Sequence, residues 1–439
     1  MKPVKLGLIG VGTVGASTAL VLKNNAIEIA RRAGRAIEIV HASRKNVAKG
    51  MPDDCGDIKL TAAAFEVVGN PEVDIVVELV GGCEPALELV LGAIENGKHV
   101  VTANKALIAM HGNEIFAAAQ AKGVNVAFEA AVAGGIPIIK ILREGLSANH
   151  IEWLAGIING TGNYILTEMH DKGRDFEDVL QEAQALGYAE DDPTFDVEGV
   201  DAAHKLCILS SLAFGIPLQF DAVYTEGITQ ISTEDMVYAN ELGYRIKHLG
   251  IARRTKNGID MRVHPTLIPD KRLLASVDGV MNAVVVMADK LGPSLYYGAG
   301  AGADPTASSV VADIIDVART ITTDPQNRVP HLAFQADQIA NIPVLPITEV
   351  STAYYLRLRV DDIPGVMAEI TRIMGESDIS IEAILQKEPE AGVAQATIIM
   401  LTQKIREAQM NQAIDKITKL ATVHGTTHRI RVESLGASD

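Results

Sequence analysis

Short apolar runs recur through the first third of the chain, at Val4 to Ile9, Ile37 to Ala42, Ile75 to Leu79, His99 to Thr102 and Val124 to Glu129, and stretches of helical period separate them. That alternation predicts an α/β doubly wound parallel sheet with crossover helices over residues 1–132. From Ala133 to about residue 304 the pattern mixes the two periods less regularly and carries a hairpin signal, Lys256-Asn257-Gly258, between Ile251 and Met261. An α+β substrate domain is the expectation there. The run Tyr297-Gly298-Ala299-Gly300-Ala301-Gly302-Ala303-Asp304-Pro305 precedes a helix at about Thr306 to Thr320, within a stretch of about 305–335 expected to return to the first segment. Pro343 and Pro346 mark a linker. Residues 350–439 then scan as strand Tyr354 to Val360, helix Val366 to Ser377, strand Ile379 to Gln386, strand Val393 to Leu401, helix Ile405 to Leu420 and strand Thr427 to Val432, a ferredoxin-like βαββαβ order.

Composition narrows the function. A chain of 439 residues with 48% hydrophobic content fits two to four cored domains. No apolar run reaches the roughly 20 residues of a bilayer span, and the amino-terminal run is too short for a signal peptide, so a cytoplasmic protein without membrane contact is expected. The formal charge of −16 argues against a nucleic-acid partner. Cys55, Cys83 and Cys207 lie far apart, without disulfide or zinc-site spacing. The histidines show no ligand spacing either, and Trp153, in an apolar strand-like run, reads as core.

The first apolar run feeds directly into Gly10-Val11-Gly12-Thr13-Val14-Gly15, a G-x-G-x-x-G turn opening a helix. In that context it reads as the Rossmann dinucleotide-binding fingerprint: tight turn at Gly10, room for a pyrophosphate at Gly12, close helix packing at Gly15, and free N–H groups from Thr13 and Val14 onward. Parallel sheets gather ligands at the carboxyl ends of their strands, which groups Gly10, Ser43-Arg44-Lys45, Val80-Gly81-Gly82 and Asn104-Lys105 around one crevice. Where an NAD-selective enzyme offers Asp or Glu after the second strand, Arg44 and Lys45 suit a 2′-phosphate, so NADP is expected, with NAD possible. Asp362-Ile363-Pro364-Gly365-Val366, at a strand-to-helix junction near the carboxyl end, resembles the turn of an ACT domain. It implies an amino-acid effector at Asp362 and Gly365, or else a purely dimerising module.

The densest polar run is Ala183 to Lys205, where carboxylates crowd a Gly/Pro loop and Asp201 and Lys205 then fall four apart on an apolar helix. Alone, that spacing describes an ordinary i,i+4 salt bridge worth about 0.3 to 0.5 kcal/mol. The run also resembles, position for position, the signature of the homoserine dehydrogenases, A-x3-G-Y-A-x2-D-P-x2-D-V-x-G-x-D-x3-K. The resemblance extends over the whole chain, through Val101-Thr102-Ala103-Asn104-Lys105-Ala106, Phe128 to Pro137, Asn159-Gly160-Thr161 and the second Gly-rich loop. Gly162 stands where the family often has threonine, and Ala299 where it often has proline.

The resemblance implies reversible reduction of L-aspartate 4-semialdehyde to L-homoserine, on the route to threonine, isoleucine and methionine. Lys205 would be the acid/base lysine and Lys105 a second one at the nicotinamide end, with Asp201 beside them. Glu190, Asp196 and Asp201 would hold substrate, and Gly187 and Gly302 would approach the cofactor. A monovalent cation, usually Na+, would sit on Glu129 and the main-chain oxygens of Val132, Gly134 and Ile136. Threonine is the expected effector, and a homodimer or homotetramer the expected assembly. Hydride addition to an aldehyde builds alkoxide charge that an ammonium stabilises and quenches. Because lysine ordinarily titrates near 10.4, one of the two is expected to be lowered by desolvation. A redox or amino-acid sensor without turnover, and a dehydrogenase for an imine or another semialdehyde, are the competing readings.

Overall fold

The computed structural model describes residues 2–52, 55–56, 58–387 and 395–436, and the chain divides into two compact units. The first comprises Met1–Leu154, Asp201–Val223 and Met281–Ile342; the second comprises Ala155–Val200, Tyr224–Val280 and Pro343–Asp439.

A parallel six-stranded sheet forms the base of the first unit: β1 (Val4–Ile9), β2 (Ile37–Ser43), β3 (Lys59–Thr61), β4 (Ile75–Glu78), β5 (His99–Thr102) and β6 (Val126–Ala127), ordered β3-β2-β1-β4-β5-β6. The direction of winding reverses between β1 and β4, where such sheets bind nucleotides. Helices α1 (Thr13–Asn24), α2 (Ala26–Ala33), α3 (Ala64–Gly69), α4 (Ala86–Glu95) and α5 (Lys105–Lys122) connect the strands. Every residue of β4 and β5 is buried, as a sheet covered by helices requires. The helix Ala303–Thr320 joins this unit through Val310, Val311, Ile314 and Val317, which share a core with Val4, Leu6, Leu8 and Leu22.

Two sequence expectations shift here. The edge strand β3 went unpredicted, because three residues carry no readable period. The run Val124 to Glu129 contracts to β6, and Glu129 sits instead in a 3-10 turn, Glu129–Ala131. The helix expected at about Thr306 to Thr320 spans Ala303–Thr320, and the stretch to about residue 335 continues beyond it. Pro325, which cannot donate a backbone hydrogen bond, opens a short 3-10 turn, Pro325–Asn327, and Pro330 lies in the irregular chain beyond it.

The second unit holds the expected hairpin, Tyr244–Arg254 with Ile259–Pro269, closed by Thr255 to Gly258. The last segment takes the predicted order: strand Ser351–Asp361, helix Val366–Glu376, strands Ile381–Gln386 and Gln395–Thr402, helix Glu407–Thr418 and strand Val423–Val432. The first two residues of the strand expected from Val393 lie outside the described residues. Strand Val423–Val432 pairs antiparallel with Ser351–Asp361 and parallel with Ile259–Pro269, so one sheet runs from the hairpin into the carboxyl-terminal segment. Among the described residues no helix is long and apolar enough to cross a membrane.

Candidate active site

Each glycine of the first turn has its own geometric reason. Gly10 has φ +95°, and a Cβ there would lie 2.8 Å from the backbone carbon of Leu79. At Gly15 a Cβ would meet the Gly10 carbonyl oxygen at 2.1 Å, whereas at Gly12 nothing lies within 4 Å. These residues fit a pyrophosphate: backbone close-packed on both sides of an open position, followed by the start of α1, where first-turn N–H groups lack intrahelical acceptors. The Ser43 carbonyl accepts from the N–H groups of Gly10 and Val11, both at 3.1 Å, joining the ends of β1 and β2. Arg44, half-buried, donates Nη1 to the Gly50 carbonyl at 2.7 Å, and Lys45 is exposed. Ser17 of α1 donates to Asp304 at 2.6 Å, bringing the second Gly-rich loop to this helix; Gly302 caps Ala303–Thr320 with φ +116°.

Beside this crevice the structure unites residues far apart in sequence. Lys105 is the first residue of α5, and its Nζ lies 2.8 Å from Asp201 Oδ1. Lys205 Nζ lies 2.7 Å from Asp201 Oδ2. The Asp201 side chain is 3% exposed and that of Lys205 10%, so this is no surface helix pair. Burial alone would raise the Asp201 carboxyl, yet the two ammoniums hold it well below the ordinary carboxylate range. Two cations thus share one buried anion. The neighbouring His204, stacked on Phe220 at 4.2 Å between ring centroids, is pushed down to about 4 by burial and is neutral near pH 7.

A second buried cluster surrounds Glu129. Its carboxylate accepts from the N–H groups of Ile139 at 2.9 Å and Lys140 at 2.8 Å, while its own N–H donates to Asp313 at 2.7 Å. Desolvation pushes Glu129 up to about 6; Asp313, desolvated and beside Glu129, is pushed up to about 8. Ala133 and Gly134 both adopt left-handed backbone, and the Gly134 carbonyl accepts from Ser309 at 2.7 Å. The Ile136 carbonyl accepts from Ile138 N–H at 2.7 Å. Two buried carboxylates amid main-chain oxygens make a donor set suited to a hard monovalent cation. Asp313 carries no sequence signal: it reads as one polar position on an amphipathic helix.

In the second unit, Glu190 is exposed in the loop after helix Phe176–Ala185, and its carbonyl and that of Asp191 accept from the Gln184 amide, both at 3.2 Å. Gly187, with φ +76°, has open space where a Cβ would stand. Asp196, half-buried in the short helix Thr194–Val197, accepts from Asn159 Nδ2 at 2.7 Å. Asn159 Oδ1 in turn caps the helix Gly160–Lys172 through Gly162 N–H at 2.7 Å, a bracing role that its motif did not reveal. At the carboxyl-terminal turn Asp362 is exposed, and Gly365, φ +99°, precedes helix Val366–Glu376.

Residues 10–129 match the homoserine dehydrogenase NAD-binding domain, residues 137–315 the homoserine dehydrogenase family, and residues 354–422 the ACT domain. A homoserine dehydrogenase of Pseudomonas aeruginosa is 62% identical over 99% of this chain and 100% of its own length. The crystal structure of a homoserine dehydrogenase from Thiobacillus denitrificans superposes with a TM-score of 0.95 at 64% identity, covering 99% of both chains. A hyperthermophilic archaeal homoserine dehydrogenase in complex with NADPH gives a TM-score of 0.61 at 28% identity, over 72% of this chain and 97% of that one. With the fingerprint opening a parallel sheet and the carboxylate run delivering Asp201 and Lys205 to Lys105, this chain belongs to the homoserine dehydrogenase family, as an oxidoreductase that carries a carboxyl-terminal ACT domain.

Proposed function

We propose that the enzyme interconverts L-aspartate 4-semialdehyde and L-homoserine with NADP as the preferred nucleotide, Lys205 serving as the principal proton donor. The observation that carries this reading is the sharing of Asp201 by Lys105 and Lys205. The bound nicotinamide supplies or accepts the hydride. Lys205, fixed by its ion pair, is the group that stabilises alkoxide charge at the substrate oxygen and passes it a proton. Lys105 shares that proton work from the first turn of α5. Asp201 anchors both ammoniums and through them orients substrate, while Glu190 and Asp196 hold its amino-acid end. Full-length enzyme mixed with homoserine and NADP+ should give a progress curve of reduced nicotinamide; no turnover would remove the assignment.

Arg44 and Lys45 set nucleotide choice in this reading. Arg44→Ala should lower the NADPH-over-NADH ratio of kcat/KM about tenfold, through loss of a charged phosphate contact; an unchanged ratio would release Arg44 from that role. Na+ occupies the Glu129 cluster with the carbonyl oxygens of Val132, Gly134 and Ile136, and helps hold the fold. Exchanging Na+ for a bulky organic cation should then lower the thermal midpoint, and an identical midpoint would remove the ion. L-Threonine binds the ACT turn at Asp362 and Gly365 and lowers activity; threonine-insensitive kinetics would leave a dimerising module. The domain division is 1–132 for nucleotide, 133–304 for catalysis and 350–439 for regulation, in a cytoplasmic homodimer or homotetramer whose mass light scattering would check.

A further inference from the structure

Glu78 ends β4 at the point where the sheet order reverses, and its side chain is fully buried. A carboxylate there carries a desolvation cost that only hydrogen bonds offset. Among the described residues its partners are the loop after β4 and the last residue of β5, with no cation. Oε1 accepts from Val80 N–H at 2.7 Å and from Gly81 N–H at 3.4 Å. Oε2 accepts from the Thr102 hydroxyl at 2.7 Å, across the β4–β5 register that sets Glu78 opposite Thr102.

Thr102, also fully buried, passes the arrangement on. Its oxygen accepts from Asn104 N–H at 3.0 Å. Asn104 is the residue that starts α5: its Oδ1 accepts from Leu107 N–H at 3.1 Å and its Nδ2 donates to the Gly82 carbonyl at 2.6 Å. The relay therefore runs from Glu78 to Thr102 to Asn104 and returns to the Val80–Gly82 loop. Lys105 stands on the next residue, as the first of α5. The Val80–Gly82 loop follows Leu79, whose backbone packs against Gly10 of the fingerprint turn.

We infer that Glu78 is a positioning residue: through Thr102 and Asn104 it fixes the start of α5, hence the Lys105 ammonium, relative to the loop that lines the nucleotide crevice. The inference rests on the proposed role of Lys105 and goes beyond it, because Glu78 and Thr102 reach the start of α5 through Asn104. The sequence hides the relay, since Glu78 reads as the polar end of an apolar strand. Its importance comes from geometry, as a reacting group displaced by about 1 Å can cost 100-fold in rate.

The test uses full-length enzyme with homoserine and NADP+. Thr102→Val keeps the shape and removes the hydroxyl that links Glu78 to the start of α5. It should lower kcat about tenfold while the cofactor KM stays within about twofold, and Thr102→Ser should restore kcat to within about twofold of wild type. Glu78→Gln, which also loosens Val80 and Gly81, should lower kcat and raise the cofactor KM about fivefold. Thr102→Val with wild-type kcat, or a loss that Thr102→Ser fails to rescue, overturns the relay. Should Thr102→Val not fold, Glu78→Gln with wild-type kcat and KM overturns it instead. Lys105→Ala measured alongside separates the two claims: an unimpaired Lys105→Ala enzyme defeats the role of Lys105, whereas an impaired one beside a normal Thr102→Val enzyme defeats only the relay.

Discussion

The two units bury charge in opposite ways. Among the described residues of the second unit, three clusters each set two arginines against two carboxylates, beside a separate pair of buried Lys247 with Asp278. Arg431 and Arg429 face Glu407 and Glu226, Arg262 and Arg253 face Asp260 and Glu433, and Arg357 and Arg359 face Asp235 and Glu234. Forked bonds recur: Arg431 reaches Glu407 with Nε at 2.9 Å and Nη2 at 2.6 Å. In the first unit, two lysines share the single carboxylate of Asp201. A guanidinium keeps its charge and matches a carboxylate with a rigid fork, whereas an ammonium can give up a proton. In the function proposed above, the arginine clusters hold structure and the lysine cluster serves the chemistry.

The sharpest way to break this comparison is to put the wrong cation in the first unit. Lys205→Arg preserves charge but removes the transferable proton, and it should lower kcat/KM about 1,000-fold, within the range for loss of a general acid. Circular dichroism should show an intact fold. Near-normal kcat, especially with Lys105→Ala inactive, would transfer the acid role to Lys105.

The reverse outcome is expected at a balanced cluster. Arg431→Met takes the forked guanidinium from Glu407 and Glu226 and leaves them Arg429 with Tyr354 and Tyr224, respectively. Removing one partner of a buried ion pair should cost about 3 kcal/mol in the denaturant midpoint. Activity per folded molecule should stay within about twofold. A stable but inactive Arg431→Met enzyme would show that this cluster also serves the chemistry.

Asp201→Asn tests the lysine cluster by stability instead of rate, with a smaller effect of about 2 kcal/mol because the stranded ammoniums can shed protons. The folded carboxyl titrates below its ordinary value, so its stabilisation is complete above the unfolded value of 3.8 and fades as pH falls through the lower folded one. Wild type should therefore exceed Asp201→Asn in thermal midpoint at pH 7, and the gap should narrow only below about pH 4. A gap that opens on acidification would contradict the shared-anion description.

This division of labour was only half legible in the sequence. Local features were: β1 and β5 have the bounds their apolar runs suggested, the Lys256-Asn257-Gly258 turn closes a hairpin, and the βαββαβ order holds. Asp201 and Lys205 were readable as a pair because helical spacing places them on one face. What no local pattern encodes is who approaches from elsewhere. Lys105 meets Asp201, Asp313 meets Glu129, and Arg431 meets Glu226 only after the chain has folded back. Periodicity reports which face a residue occupies, not which partner that face will find, so topology brought Lys105 only as far as the crevice, its role entered through family resemblance, and the arginine clusters did not enter at all.

The finest test of the comparison is Arg357→Lys, which keeps charge and changes only geometry. Arg357 spreads its donors over Asp235 through Nε at 2.7 Å and Nη2 at 3.1 Å, over Glu234 through Nη1 at 3.2 Å, and over Ser232 through Nη2 at 3.3 Å. Asp235 in turn completes a capping box with Ser232 at the start of helix Thr233–Glu241. A lysine delivers its charge from one nitrogen and cannot span that fork. Tyr355 still donates to Asp235 at 3.1 Å, so the carboxylate is not left bare and the expected cost is only about 1 kcal/mol. Chemical denaturation should register that loss with kcat unchanged. If Arg357→Lys matched wild type in stability, fork geometry would be irrelevant at this cluster, and the choice of arginine over lysine would no longer separate the two units.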